Sequence, residues 1–352
     1  MTVAPALRRG LVAVAVTATT GLAVLAFGGP PAARAVATTA GPTTPATVTA
    51  ARLHLTGTAV KLPGNSEPSA ISEAPNGSVY YASGPSVYVV TGSSASRVLT
   101  INRPVLALAA NSAGLFVQAG RTVTQYNSAA GPVRTWTLRS PHVPTAAGLY
   151  AVRGSLWAWT DYAADGGSLR YADVYRFSVS SATVFRVSTG DAYPAEMAAD
   201  AAGAFYQAAI NNASYLVQVT PAGVVHRVRY SGLGLRPTLS GGRVQFLADR
   251  VDDGKSSVYL DSYSQDTLAR DYSRRVSTSD QAIAGTGAGL LLLSDPCGTL
   301  ACSSATVSEL KHRTGATEST VAVKGALAVV AGRAAAAISY QDDAYFLVRL
   351  AS

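Results

Sequence analysis

The chain has 352 residues, of which 48% are hydrophobic and 14% are charged, and its formal net charge is +8 at pH 7. A chain this long and this apolar can bury more than one or two ordinary domains need, so an internal repeat is the first architecture to test. Arg8, Arg9 and Arg34 lie in the first 35 residues, and without these three charges +8 becomes +5. No cluster of Lys and Arg accompanies that charge, which argues against nucleic-acid binding.

Residues 1–35 predict an export signal. Two arginines at positions 8 and 9 precede an apolar run from Leu11 to Phe27, and Ala33-Arg34-Ala35 has the small-residue pattern of a cleavage site. An uncleaved membrane anchor is the alternative, and the run of 17 residues argues against it because it is short for a spanning helix. Residues 36–50 hold Thr, Ala, Pro and Gly without an aromatic residue, which is typical of a linker. We therefore expect a secreted protein with no membrane span after cleavage.

From residue 51 to residue 352, a unit of four predicted antiparallel strands repeats. The copy at 195–230 has a small-residue strand, a glycine turn, an aromatic strand and two alternating strands, which is the pattern of one propeller blade. Five units carry a proline just before the first strand, where its missing N–H costs no ladder bond: Pro68, Pro104, Pro144, Pro194 and Pro237. The glycines between the first and second strands of the units are Gly77, Gly114, Gly154, Gly203, Gly242, Gly289 and Gly332.

The last unit, 326–350, supplies only three strands. The fourth is available at the other end of the repeat region, in the alternating segment from Arg52 to Leu62. If this segment pairs with the C-terminal hairpin, the ring closes and covers both exposed sheet edges. The sequence therefore predicts an all-β fold, a seven-bladed β-propeller of four-stranded antiparallel blades that is closed by an N-terminal strand.

Three segments carry a resemblance to known proteins: Ala70-Ile71 with Asn76 to Tyr80, Met197 to Asp200 with the strand that follows it, and Thr220 to Gly223. At the level of the repeat, the chain resembles exported seven-bladed propellers of the NHL, streptogramin-lyase and gluconolactonase type. This resemblance implies the propeller fold over about residues 52–352. For the lyase-type enzymes it also implies a catalytic His, an acid and a divalent cation, and no such pair falls on matching positions here.

The residues just before the innermost strands are expected to surround the mouth of the axial channel. Mixed charge together with His and Tyr at a shared opening makes this the best candidate ligand-binding pocket in the sequence, and solvated loop residues are the alternative. The candidate residues are Glu67, Arg103, His142, Tyr193, Arg236 and Gln281.

Acidic residues fall in the predicted turns between second and third strands, on the same face as the channel mouth. Asp-Gly and Asp-Asp are residues that tight hairpins prefer. The alternative is a cation site or an acidic docking rim, although the spacing is not that of a calcium loop. These acids are Asp161, Asp165, Asp249, Asp252, Asp253, Asp295, Asp342 and Asp343.

The only cysteines, Cys297 and Cys302, have four residues between them. In an exported chain, two nearby thiols favour a disulfide. A metal site is the rival interpretation, and it lacks the further ligands that zinc needs.

The leading functional hypothesis is an exported, monomeric propeller without a recognisable catalytic set, which binds a protein, peptide or carbohydrate at the channel-mouth face. The rival is a metal-dependent lyase or lactonase-like enzyme that uses a His, rim carboxylates and a divalent cation. A third hypothesis is carbohydrate binding at the cell wall through exposed Tyr and Trp. Trp157 and Trp159 share one strand face, where packing between blades is the more economical interpretation.

Overall fold

A computed structural model describes residues 13–15, 53–64, 66–139, 144–152, 155–163, 170–178, 184–192, 197–210, 213–252, 254–285, 289–296, 304–330 and 335–351. Every regular element in these ranges is a β-strand. No helix in this part of the chain has the length and apolar character needed to cross a membrane.

The strands, in chain order, are β1 (Ala13–Ala15), β2 (His54–Leu62), β3 (Ala70–Glu73), β4 (Val79–Ser83), β5 (Ser86–Thr91), β6 (Ser94–Thr100), β7 (Ala107–Asn111), β8 (Gly114–Ala119), β9 (Thr122–Tyr126), β10 (Pro132–Thr137), β11 (Ala146–Val152), β12 (Ser155–Ala163), β13 (Arg170–Ser178), β14 (Val184–Ala192), β15 (Met197–Asp200), β16 (Gly203–Ile210), β17 (Ala213–Val219), β18 (Val225–Tyr230), β19 (Leu233–Ser240), β20 (Arg243–Asp252), β21 (Lys255–Ser264), β22 (Arg270–Arg275), β23 (Asp280–Gly285), β24 (Gly289–Ser294), β25 (Thr306–Lys311), β26 (Thr317–Ala322), β27 (Ala326–Val330), β28 (Ala335–Gln341) and β29 (Ala344–Ala351).

The described strands form seven four-stranded blades. Blade 1 is β3 to β6, blade 2 is β7 to β10, blade 3 is β11 to β14, blade 4 is β15 to β18, blade 5 is β19 to β22, blade 6 is β23 to β26, and blade 7 is β27 to β29 with β2. One pairing, Ala192 with Ala209, also links blades 3 and 4. β1 lies parallel to β3 and falls inside the predicted export signal. Without that signal, blade 1 keeps the four strands common to all blades, so the predicted fold is confirmed.

Ring closure by the N-terminal strand is confirmed as well. β2 pairs antiparallel with β29, from His54 opposite Ala351 to Leu62 opposite Tyr345. Just before β2, the backbone N–H of Leu53 donates to the hydroxyl of Ser319 in blade 6, at 3.0 Å. Leu62 is only 3% exposed, because it packs into the core between blades 7 and 1. The strand therefore closes the ring through both its ladder and its side chains.

The hydrophobic core lies between neighbouring blades. Trp136 of blade 2 packs on Phe177 of blade 3, with ring centroids 5.7 Å apart. Trp157 and Trp159 are buried in the same cluster, which confirms them as packing residues. On the innermost strands many buried residues are alanines, such as Ala107 of β7, although larger ones such as Leu108 are buried there as well. Small residues suit the positions where blades converge on the axis.

The repeat glycines have a steric cause at Gly114 and Gly203. Their φ angles are +134° and +131°, a range that favours glycine. A Cβ at Gly114 would collide with the carbonyl oxygen of Tyr126, and a Cβ at Gly203 would collide with that of Val219. In both blades, the turn between the first two strands therefore approaches the end of the third strand closely enough to require glycine.

Pro237 differs from the expectation that it precedes an innermost strand. β19 already begins at Leu233, and its register against β20 shifts between Leu235 and Thr238. Pro237 lies at this irregularity, where a missing N–H breaks no regular ladder bond. Proline thus marks a bulge in blade 5, and not the start of the strand.

Candidate functional site

The mouth face holds the turns between second and third strands together with the connections between blades. It is uneven, because the hairpins that reach it differ in length. β20 has 10 residues, whereas β8 at the same place in blade 2 has 6. At about 3.3 Å per residue, the four additional residues extend the blade 5 hairpin by about 13 Å. Both strands begin at short turns on the opposite face, so the extra length lies on the mouth face.

We call the hairpin of β20 and β21 the raised hairpin. Arg250 holds it in place. Its Nε donates to the carbonyl of Ser231 at 3.0 Å, and its Nη1 donates to the hydroxyl of Ser273 at 2.9 Å. Its Nη2 forms an ion pair with Asp261, whose side chain is fully buried. The guanidinium also lies 4.3 Å from the ring centroid of Tyr259, within cation–π range. One side chain therefore joins β20, β21, β22 and the connection from blade 4.

The predicted acids of this hairpin are held by hydroxyl groups of the same hairpin. Ser256 donates to Asp249 at 2.6 Å, and Tyr259 donates to Asp252 at 2.7 Å. The bond to Asp252 is the main cause that raises the pKa of Tyr259. These contacts support the interpretation of the acids as hairpin residues.

In blade 7, the turn residues Asp342 and Asp343 have φ angles of +47° and +55°. Two successive left-handed residues are typical of the type I′ turns that join tight hairpins. Asp343 also accepts a hydrogen bond from the hydroxyl of Tyr340, at 3.0 Å. The hairpin interpretation therefore holds here as well. Of the other predicted acids, Asp295 follows β24 and is buried, Asp161 lies in β12, and Asp165 and Asp253 lie outside the described residues.

A cavity of about 460 Å³ lies between blades 4 and 5. It is lined by Ser214, Arg229, Tyr230 and Arg270, among others. The hydroxyl of Tyr230 accepts a hydrogen bond from the backbone N–H of Gly234 at 3.0 Å. Burial raises the pKa of Tyr230 to about 12, so its phenol is neutral at physiological pH. The cavity therefore offers polar and cationic groups beside the raised hairpin.

Two large apolar side chains are exposed on blade 5. Val251 is 76% exposed and Leu233 is 51% exposed. Leu233 pairs with Asp249, and Val251 lies two residues after Asp249 on the same strand. Paired residues and alternate residues share one face of a sheet, so the two apolar side chains lie on the same side of the blade.

The predicted ring of six mouth residues is only partly described. Glu67 is half-buried and close to Tyr345, whose pKa is raised first by burial and then by the charge of Glu67. Arg103 is exposed and lies beside Gly120 of blade 2. These two residues therefore lie against different blades.

Of the other four predicted mouth residues, the structure describes the strand position of two, and the remaining two lie outside the described residues. Arg236 lies inside β19 and Gln281 inside β23, both at register shifts, and not in the connections before those strands. His142 and Tyr193 lie outside the described residues, as do the predicted disulfide partners Cys297 and Cys302. Among the residues that the structure does describe, no three His, Cys, Asp or Glu side chains approach closely enough to hold a metal ion.

Sequence reasoning missed Arg250, Asp261 and Val251. A single Arg, Asp or Val in an alternating strand gives no signal by itself. The available signal was the length of the alternating pattern around Asp252, which exceeds that of blade 2 and predicts a longer hairpin.

No protein-family model matches the chain, and no curated protein matches it in sequence. Solved structures do resemble it. The Neurospora crassa Pan2 WD40 domain is 8% identical with a TM-score of 0.53, over 83% of this chain and 89% of that one. A chain from a structure of the Mitotic Checkpoint Complex is 12% identical with a TM-score of 0.60, over 84% and 95%. An oligogalacturonate lyase in complex with manganese is 10% identical with a TM-score of 0.54, over 78% and 86%. Identities this low show the fold alone, and that fold is the β-propeller.

Proposed function

We propose that this protein is a non-enzymatic binding module that docks a protein partner on the mouth face, through the raised hairpin of blade 5. The observation that carries the proposal is the exposure of Val251 and Leu233 on one side of a hairpin whose second strand is four residues longer than that of blade 2. Exposed apolar side chains rimmed by polar residues are typical of protein interaction sites. Here the rim includes Asp252 and Lys255 at the tip of the hairpin.

The hairpin is ordered before any partner arrives. Arg250 fixes it to Ser231, Ser273 and the buried Asp261. A surface that is rigid in the free state loses less conformational entropy on binding. Apolar anchors on a rigid support are the arrangement in which a few side chains contribute most of the binding free energy.

The fold is compatible with this proposal. Similar propellers occur in a structure of the Mitotic Checkpoint Complex and in a structure of BBS1N in complex with ARL6DN. The proposal itself rests on the surface of blade 5, because these likenesses concern the fold. We also propose export of the mature chain, which N-terminal sequencing of protein from the culture medium would test.

The experiment places a photo-crosslinking residue at position 251 in the producing cells. Position 133 of β10 is the matched control, since Val133 is also an exposed valine, at 56%. We expect one crosslinked protein from position 251 and none from position 133. With that partner purified, Val251→Asp is expected to weaken binding at least tenfold, whereas Val133→Asp leaves it unchanged. Equal crosslinking from both positions, or full binding by Val251→Asp, would refute the proposal.

A metal-dependent lyase or lactonase activity remains the competing hypothesis. Its supporting likeness is the manganese-containing oligogalacturonate lyase, which is again a likeness of fold. Calorimetry with manganese, calcium and magnesium, followed by turnover assays on lactones and oligogalacturonate, separates the two. Metal-dependent turnover by the wild-type chain that is unaffected by Val251→Asp would favour the enzyme.

A further inference from the structure

The second large cavity lies on the opposite face, at the junction of blades 1 and 2. Its volume is about 720 Å³, within the range of small-molecule sites, which is about 300–1,000 Å³. Three turns surround it, centred on Asn76 between β3 and β4, Asn111 between β7 and β8, and Asn127 between β9 and β10. Tyr80 of blade 1 and Tyr126 of blade 2 contribute its aromatic surface.

The turn after the third strand of blade 2 differs from that of three other blades, where a hydrogen bond crosses the junction through a turn side chain or a turn carbonyl. In four blades the turn after the third strand starts at a residue whose N–H bonds to a carbonyl across that turn, namely Asn127, Thr220, Ser264 or Lys311. The residue that follows makes a contact across the blade junction in three of these blades. In blade 5, Gln265 donates to Asp200 of blade 4 at 2.9 Å. In blade 6, the carbonyl of His312 accepts from Gln245 of blade 5 at 2.8 Å.

In blade 4, the carbonyl of Pro221 accepts from Arg176 of blade 3. The aligned residue of blade 2 is Ser128, which lines the cavity. It is followed by Ala129 and Ala130, so this turn has no side chain long enough to close the junction.

The lining is polar without being charged. It holds two Tyr, three Asn, two Ser and otherwise apolar residues, and none of them is Asp, Glu, Lys, Arg or His. An anionic ligand such as a phosphate ester would find no counter-charge, and a cation would find none either. A purely apolar ligand would leave the amides and hydroxyls unpaired, at a cost in free energy. A neutral ligand with many hydroxyl groups satisfies both conditions.

The three asparagine side chains are held in fixed orientations by hydrogen bonds to turn N–H groups. The Oδ1 of Asn76 accepts from the N–H of Ser78 at 3.0 Å, and that of Asn111 accepts from Ala113 at 2.8 Å. The Oδ1 of Asn127 accepts from two turn N–H groups, at 3.0 and 2.9 Å. These bonds fix each amide in one orientation and occupy backbone donors of the turns. What remains is the Nδ2 donor of each amide, since none of the hydrogen bonds among the described residues uses it.

We propose that this cavity binds a neutral sugar unit of an oligosaccharide. The Tyr80 and Tyr126 rings offer apolar surface for the C–H faces of a pyranose, and their hydroxyls can donate and accept. The Asn amides supply donors for ring and hydroxyl oxygens. A peptide fits less well, because turn N–H groups that would pair with its main chain already bond to the Asn side chains. The site is independent of the partner surface on blade 5.

The test measures binding of neutral oligosaccharides to the full chain by saturation-transfer NMR and calorimetry. The probes are cellopentaose, maltopentaose, xylopentaose and chitotetraose, with trigalacturonate as the charged control. At least one neutral probe is expected to bind in the millimolar range or tighter, while trigalacturonate does not. A peptide of Gly and Ser is included, and its binding in place of the sugars would overturn the proposal.

Two pairs of variants locate the binding. Ser128→Gln should reach across the junction as Gln265 does and abolish binding, whereas Ser128→Ala leaves the cavity open and binding intact. Asn127→Asp keeps the acceptor that holds the turn but removes the Nδ2 donor, so it should weaken binding at least tenfold. Tyr340→Ala, at a half-buried tyrosine of the mouth face, is the control for a substitution outside the cavity. Thermal unfolding verifies that each variant folds. Failure of every neutral probe, or binding that survives Ser128→Gln in a folded chain, would refute the proposal.

Discussion

Removing Arg250 should destabilise the protein far more than removing either of two other basic residues that form ion pairs. The side chains of Arg250 and Asp261 are 13% and 0% exposed, and the Oδ1 of Asp261 has no hydrogen-bond partner among the described atoms. Arg250→Met would leave a fully buried carboxylate without its counter-charge. Breaking a buried pair in this way costs about 3–5 kcal/mol.

Two more exposed ion pairs of the same molecule serve as a comparison for the stability cost of losing Arg250. Arg243 and Asp271 are 24% and 27% exposed and 3.0 Å apart, and removal of Arg243 should cost about 1 kcal/mol. Lys311 and Glu318 are 58% and 39% exposed, so Lys311→Ala should cost about 0–0.5 kcal/mol. The order of the costs follows burial, because solvent screens the exposed pairs.

Urea unfolding measures these costs, provided that the slope of the free energy with urea stays constant. The double variant Arg250→Met with Asp261→Asn removes the buried charge together with its partner. It should regain at least half of the stability that Arg250→Met loses, because the loss comes mainly from the unpaired carboxylate. A cost below about 1 kcal/mol for Arg250→Met, or a double variant less stable than the single one, would refute the reasoning.

Three further predictions concern the turns, the buried tyrosine and the closing strand. Gly203→Ala should destabilise the protein by about 2 kcal/mol more than Gly77→Ala, as measured by urea unfolding. Both glycines have positive φ, but only at Gly203 would a Cβ collide with a backbone carbonyl. The pKa of Tyr230 is about 12 in the folded protein and near 10 in the unfolded chain. The free energy of unfolding should therefore fall by up to about 2.7 kcal/mol as pH rises from 10 to 12. In Tyr230→Phe this part of the pH dependence should be missing from unfolding curves measured at each pH. Leu62→Asp should lower the melting temperature strongly, whereas Leu55→Asp on the same strand should not, because Leu62 is 3% exposed and Leu55 47%. Equal melting temperatures for the two variants would contradict the role of Leu62 in closing the ring.

The sequence predicted those features that depend on local chemistry repeated many times. The turn glycines at Gly114 and Gly203 follow one steric rule, and the closing strand follows from an incomplete last unit. The site was harder to predict because it depends on register. Arg236 was expected before an innermost strand, yet β19 begins three residues earlier and bulges around it. The partners of Arg250 come from positions 231 to 273, and no pattern in the sequence brings these together.

The two faces of the propeller acquire binding surfaces by different physical routes. On the opposite face, the carbonyls that Gly114 and Gly203 face leave no room for a Cβ, so these two turns vary through their other side chains. A cavity arises there when a crossing side chain such as Gln265 is replaced by one as small as Ser128. On the mouth face, a hairpin can lengthen without disturbing the core, because each added pair of residues satisfies its own backbone groups. Projecting hairpins therefore form on that face, such as the one that carries Val251. A projecting hairpin can contact a protein partner over a large area, whereas a cavity encloses a small ligand.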